Sequence, residues 1–68
     1  MVKYKGLLIS LNKINDQNYS LELIKNKTCY EFNGQKESIL NDFNAFNGLE
    51  NDLKSELMEF ILYLFKSM

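Results

Sequence analysis

Cys29-Tyr30-Glu31-Phe32-Asn33-Gly34-Gln35-Lys36-Glu37-Ser38-Ile39-Leu40 is the stretch that decides the fold. Its first part alternates, with Tyr30 and Phe32 on one side of an extended chain and Cys29 and Glu31 on the other. That is the period-two pattern of a half-buried strand. Asn33-Gly34 ends it. Asn-Gly is the strongest short hairpin signal, so a fourth strand from Gln35 to Leu40 is one continuation. A helix is the preferred one: Ser38 can cap it, and Ile39, Phe43 and Phe46 recur at spacings of four and three residues. Asn47-Gly48 supplies the stop, with Leu49 placed to close the apolar contact of a Schellman end.

Toward the N-terminus the period stays at two. Tyr19, Leu21 and Leu23 alternate with Ser20 and Glu22, and Lys5 to Leu11 places Leu7, Ile9 and Leu11 on one face. The polar cluster Asn15-Asp16-Gln17-Asn18 and the pair Asn26-Lys27 read as turns, and connections this short favour an antiparallel meander. Toward the C-terminus the period changes to that of a helix. Leu49, Leu53, Leu57, Phe60, Ile61 and Leu64 form a continuous stripe, flanked by Met58 and Phe65. Glu50 or Asn51 opens this helix, and Asp52 in its first turn suits the helix dipole. The opposite face carries Asp52, Ser55, Glu56, Glu59 and Lys66, with Leu62 and Tyr63 at its edges.

The expected fold is α+β over a single domain, residues 1–68: a three-stranded antiparallel sheet in the order β-β-β-α-α, with two helices packed on one face. The expected core is Leu7, Ile9, Leu11, Tyr19, Leu21, Leu23, Tyr30, Phe32, Ile39, Phe43, Phe46, Leu53, Leu57, Phe60, Ile61 and Leu64. A chain of 68 residues and 8.0 kDa has room for one such core.

Composition narrows the function classes. The chain is 46% hydrophobic and 25% charged, as a globular domain is. Its net charge of −1 gives no basic excess for binding a nucleic-acid duplex, so no direct nucleic-acid contact is expected. It has no His and one Cys. The commonest general base, the commonest transition-metal ligand and any intrachain disulfide are therefore absent. Cys29 has no base to activate it and reads as a small space-filling residue. Glu56 and Glu59 lie one helical turn apart, but paired glycosidase carboxylates need a cleft that a domain this small hardly has room for. The glycines are isolated and form no phosphate cradle, and Asn12 to Asn18 lacks the closing Glu of a calcium loop. No enzyme, cofactor or metal is expected. The longest apolar run, Leu57 to Phe65, spans nine residues and contains Glu59, too short for a bilayer. A cytoplasmic location is the expectation, in a host cell if the gene is carried by a phage. Phe, Tyr, Met, Ile, Asn and Lys make up 34 of the 68 residues, which points to AT-rich coding in a low-GC bacterium or its mobile elements.

Binding surfaces remain. The outer sheet face is expected to show Tyr4, Leu8, Ile24 and Cys29 beside Glu22 and Glu31, a mixed apolar and acidic surface suited to a protein partner. Asp52, Glu56 and Glu59 on the last helix could present spaced carboxylates to a basic groove. The run Ile61-Leu62-Tyr63-Leu64-Phe65 is apolar almost all round and is suited to burial or to pairing with a second copy. The candidate partner-binding residues are Glu22, Glu31, Asp52, Glu56, Glu59 and Tyr63.

The arrangement resembles the small phage-encoded anti-CRISPR proteins. The carriers are Tyr19-Ser20-Leu21-Glu22-Leu23 as a strand, then Glu37-Ser38-Ile39, Phe43, Ala45-Phe46 and Asn47-Gly48 in the first helix. A similar strand and a helix with the same landmarks occur in one such inhibitor, a likeness over about half the chain. The Phe to Ala-Phe spacing is one residue shorter here. The resemblance implies a non-catalytic α+β protein that blocks the DNA-binding groove of a CRISPR effector nuclease by stoichiometric binding. The other expectation, from the C-terminal helix, is a homodimeric regulatory protein such as an antitoxin or a repressor accessory.

Overall fold

The computed structural model describes residues 2–68. Four strands precede two helices: β1 (Val2–Tyr4), β2 (Leu7–Lys13), β3 (Tyr19–Lys25), β4 (Thr28–Gly34), α1 (Lys36–Ala45) and α2 (Asn51–Lys66). The strands form one antiparallel sheet in the order β1-β2-β3-β4. The class is α+β, as expected, but the sheet has four strands rather than three. The extra strand is β1. Its three residues are too few to show a period, and the turn that returns it lies inside the stretch expected to open a strand at Lys5. At that turn Lys5 and Gly6 both take positive φ, 48° and 83°. This is the two-residue loop whose twist matches a hairpin, and Gly6 meets the need for left-handed backbone without strain.

The other turns fall where the polar clusters lie. Asn15 Oδ1 accepts hydrogen bonds from the backbone N–H groups of Gln17 and Asn18, both at 2.9 Å. This side-chain mimic of a turn is the reason Asn is favoured there. Asn26 takes φ 57° between β3 and β4.

Alternation along the strands sorts the two faces. Leu7, Ile9, Leu21 and Leu23 point inward and are at most 1% exposed. Tyr4, Leu11, Tyr19, Tyr30 and Phe32 join them from the margins. The helices cover this face alone. Ile39 and Phe43 of α1 and Leu57 and Ile61 of α2 are fully buried against it. Aromatic rings bind the layers at three corners. Tyr4 stacks on Phe60 at 4.9 Å, Tyr19 meets Phe65 edge-on at 5.0 Å, and Tyr30 meets Phe46 at 4.7 Å. Such pairs add about 0.5–1.5 kcal/mol each beyond burial of their area. Every residue of the expected core lies in this cluster or packs on it. Leu49 and Phe65 prove to be as much a part of it, each 8% exposed.

Two expectations at the ends of α1 are corrected. The preferred helix forms in place of the alternative strand from Gln35 to Leu40, but Ser38 does not cap it: α1 begins at Lys36 with Gln35 at the N-cap, and Ser38 sits inside the first turn. The C-terminus is no Schellman end either. Phe46 turns extended at φ −71°, ψ 131°, which swings its ring onto Tyr30 and Phe32. Gly48 is required for a different reason: a Cβ there would collide with the Phe46 ring. The carbonyls left open at this end are met by Lys54, whose Nζ donates to the backbone oxygens of Asn44 and Phe46, both at 2.9 Å. A cation there also answers the negative pole of the helix.

Candidate interaction surfaces

Among the described residues the sheet has helices on one face and nothing on the other. Register places the residues of the bare face in three rows across the strands: Lys3, Leu8, Ile24 and Cys29; then Ser10, Glu22 and Glu31; then Asn12, Ser20 and Asn33. An apolar row thus lies beside an acidic one, and an uncharged polar row follows. Leu8 is 37% exposed and Cys29 is exposed. Tyr4, expected on this face, is on the other, because the turn at Lys5-Gly6 sets it opposite Leu7 and its ring stacks on Phe60.

Glu22 and Glu31 are direct cross-strand partners. The short loop at Asn26-Lys27 makes Lys25 and Thr28 a hydrogen-bonded pair, so alternation puts Glu22 and Glu31 at a non-hydrogen-bonded position. Side chains approach most closely at such positions, with Cβ atoms about 4.5 Å apart. Like charges placed so are destabilising. Among the described residues neither carboxylate joins an ion pair; Glu31 only accepts a 3.3 Å hydrogen bond from Asn33 Nδ2.

Asp52, Glu56, Glu59 and Tyr63 line the exposed side of α2. That side faces away from the sheet, so the six candidate residues occupy two opposite surfaces. The helix surface is bound into the fold. Glu56 pairs with Lys5, and the hydrogen bond from that lysine to Glu56 is the main cause that raises the Lys5 pKa above its usual value of 10.5. Tyr63 is 62% exposed but stacks on Phe60 at 6.4 Å, extending the ladder from Tyr4. Of the apolar run at the C-terminus, Ile61 and Phe65 are buried and Leu64 is half-buried, while Leu62 at 36% and Tyr63 stay outside.

Cavities are shallow. One of about 220 Å³ lies between Val2, the β2 segment from Ile9 to Asn12, and the end of α2. Among the described residues no three of the Cys, Asp and Glu side chains are grouped as metal ligands, and no helix is long and apolar enough to cross a membrane. Sequence reasoning missed both the Lys5–Glu56 pair and the capping role of Lys54, since a Lys carries no signal of the distant carboxylate or carbonyls it reaches.

No family model matches the chain, and neither the curated proteins nor the solved structures compared with it include a match.

Proposed function

We propose that this chain is a small non-catalytic binding protein that inhibits a host complex by occupying it stoichiometrically, and that its contact surface is the bare face of the sheet. The carrying observation is the pair Glu22 and Glu31. The two carboxylates are opposed across adjacent strands without a cation among the described residues, beside the apolar row Leu8, Ile24 and Cys29. A partner that brings Lys or Arg to this row removes the repulsion, and burial of the neighbouring apolar row adds affinity. Surfaces that hold nucleic acid are basic, so a CRISPR effector nuclease, the target class implied by the anti-CRISPR resemblance, has the matching chemistry.

The test is phage plating on bacteria immunised by different CRISPR types, with and without the protein. Restored plaquing on one type, lost in the double variant Glu22→Lys, Glu31→Lys and kept in Asp52→Lys, Glu56→Lys, Glu59→Lys, is the expected result. Retention by the sheet variant with loss in the helix variant would move the surface to α2. Failure to restore plaquing on any type would remove the anti-CRISPR reading.

A further inference from the structure

The outer edge of β4 is a second contact element, distinct from the sheet face. Because Lys25 and Thr28 close a two-residue loop as a hydrogen-bonded pair, the pairs Leu23 with Tyr30, Leu21 with Phe32 and Tyr19 with Gly34 are hydrogen-bonded in turn. The backbone N–H and C=O groups of Cys29, Glu31 and Asn33 then point away from β3. Among the described residues no strand lies beyond β4 in the sheet, and no backbone group elsewhere bonds these three residues. The side chains of all three are exposed. Edges of this kind are usually blunted by being very short, by charged side chains, Lys above all, or by Pro. The opposite edge fits that rule, since β1 has three residues and Lys3 at its middle. Strand β4 runs for seven residues with neither Lys nor Pro, and its single charge is Glu31, which deters a neutral or acidic strand but not a basic one.

We infer that this edge accepts an extended segment of a partner protein as a fifth strand, with a Lys or Arg of that segment set opposite Glu31. Charge selects the occupant. The added strand extends the row Ser10, Glu22, Glu31 by one residue, and a cation there faces a carboxylate whose other neighbour is also negative. On the inner side, alternate residues of the segment meet Tyr30 and Phe32, both half-buried, so they are apolar. The segment therefore alternates basic and apolar residues. A second copy of this chain is a poor occupant. The register that pairs all seven residues of two β4 strands sets each Glu31 opposite the other, with a Glu22 flanking at either side. Shifting the register relieves that contact only by giving up pairs at both ends.

The inference shares Glu31 with the proposed contact face but rests on backbone groups that face does not use. The experiment is amide hydrogen exchange read by NMR, first on the protein alone. The amides of Cys29, Glu31 and Asn33 exchange fast there, and those of Tyr30 and Phe32 slowly; slow exchange at the first three would overturn the inference at once. The probe is then a capped heptapeptide of alternating valine and lysine. At a peptide concentration about ten times its Kd, exchange at Cys29, Glu31 and Asn33 slows by roughly tenfold. A valine-glutamate peptide gives no protection, and Glu31→Lys reverses the preference between the two. A lysine peptide N-methylated on the residues that would bond β4 keeps its charge and loses the protection. Absence of protection up to millimolar peptide overturns the inference, as does equal protection by both peptides. Binding of the N-methylated peptide with shifts at Leu8, Glu22 and Ile24 also overturns it, while leaving the contact face in place.

Discussion

Replacing Glu31 by Lys should stabilise this protein. Glu22 and Glu31 face each other at a close cross-strand position, and carboxylates about 6 Å apart in water repel by roughly 0.7 kcal/mol. Glu31→Gln removes that term. Glu31→Lys replaces it by an attraction of similar size, a swing of about 1.4 kcal/mol without salt and about 1 kcal/mol after screening at moderate ionic strength. For a domain of this size 1 kcal/mol moves Tm by about 4–8 °C. The assay is thermal unfolding by circular dichroism in dilute buffer and again in molar salt, where the Debye length falls to about 3 Å. The expected order of Tm in dilute buffer is Lys above Gln above Glu, with the differences collapsing in salt. A drop in Tm for Glu31→Lys, or a gain that survives salt, would refute the reasoning, because either would mean that the two carboxylates are not coupled through solvent as their register requires.

Three further substitutions, with Lys66→Met as a control, test the packing and pairing account. Lys54→Met leaves the Asn44 and Phe46 carbonyls without their donor and should cost about 1–2 kcal/mol in urea titrations, whereas Lys66→Met, at an exposed position, stays within about 0.5 kcal/mol. Gly48→Ala puts a methyl group into the Phe46 ring, so it should cost about 1–3 kcal/mol and change the near-ultraviolet signal of Tyr30, whose partner must move. The Lys5 pair gives a pH dependence: its pKa is raised in the folded protein, so the contribution of the pair is complete below the ordinary lysine value of 10.5 and is lost as pH rises through the higher folded value. Glu56→Gln should flatten that alkaline loss of Tm, and an unchanged alkaline limb would show that the pair does not form in solution.

What the sequence discloses is set by the length over which a pattern repeats. Helix α2 has sixteen residues and its stripe from Leu53 to Leu64 is unmistakable; the alternation in β2 and β3 recurs often enough to fix which side of each strand is buried. Strand β1 is too short for any pattern, and its absence from the reading misplaced Tyr4 on the outer face. The ends of α1 depart from their local signals because those signals lose to distant contacts. Ser38 is a good cap in isolation, yet the cap is Gln35, three residues earlier, at a point fixed by where β4 ends. Asn47-Gly48 invites a left-handed end, but the Tyr30 and Phe32 rings draw Phe46 out of the helix first. Among the candidate contact residues, alternation alone puts Glu22 and Glu31 on one face, but their direct opposition depends on the register of β3 against β4, which follows from the tight turn at Asn26.

That opposition bears on the choice between the two candidate surfaces. One flat partner cannot touch both, since the sheet lies between them. On α2 three of the four candidates have structural employment: Asp52 sits in the first turn, where the helix dipole favours it, Glu56 holds Lys5, and Tyr63 continues the stack of Tyr4 and Phe60, while exposed Glu59 has no such contact among the described residues. Removing any of the three should cost stability, and that cost alone is reason enough for the residue to be there. Glu22 and Glu31 are in the reverse position, each weakening the fold by its nearness to the other. Residues that lower stability and have no structural return are what a binding surface under selection tends to carry. The stabilised Glu31→Lys variant separates the two cases within one molecule, because a better-folded protein that no longer binds has lost a contact and not its structure.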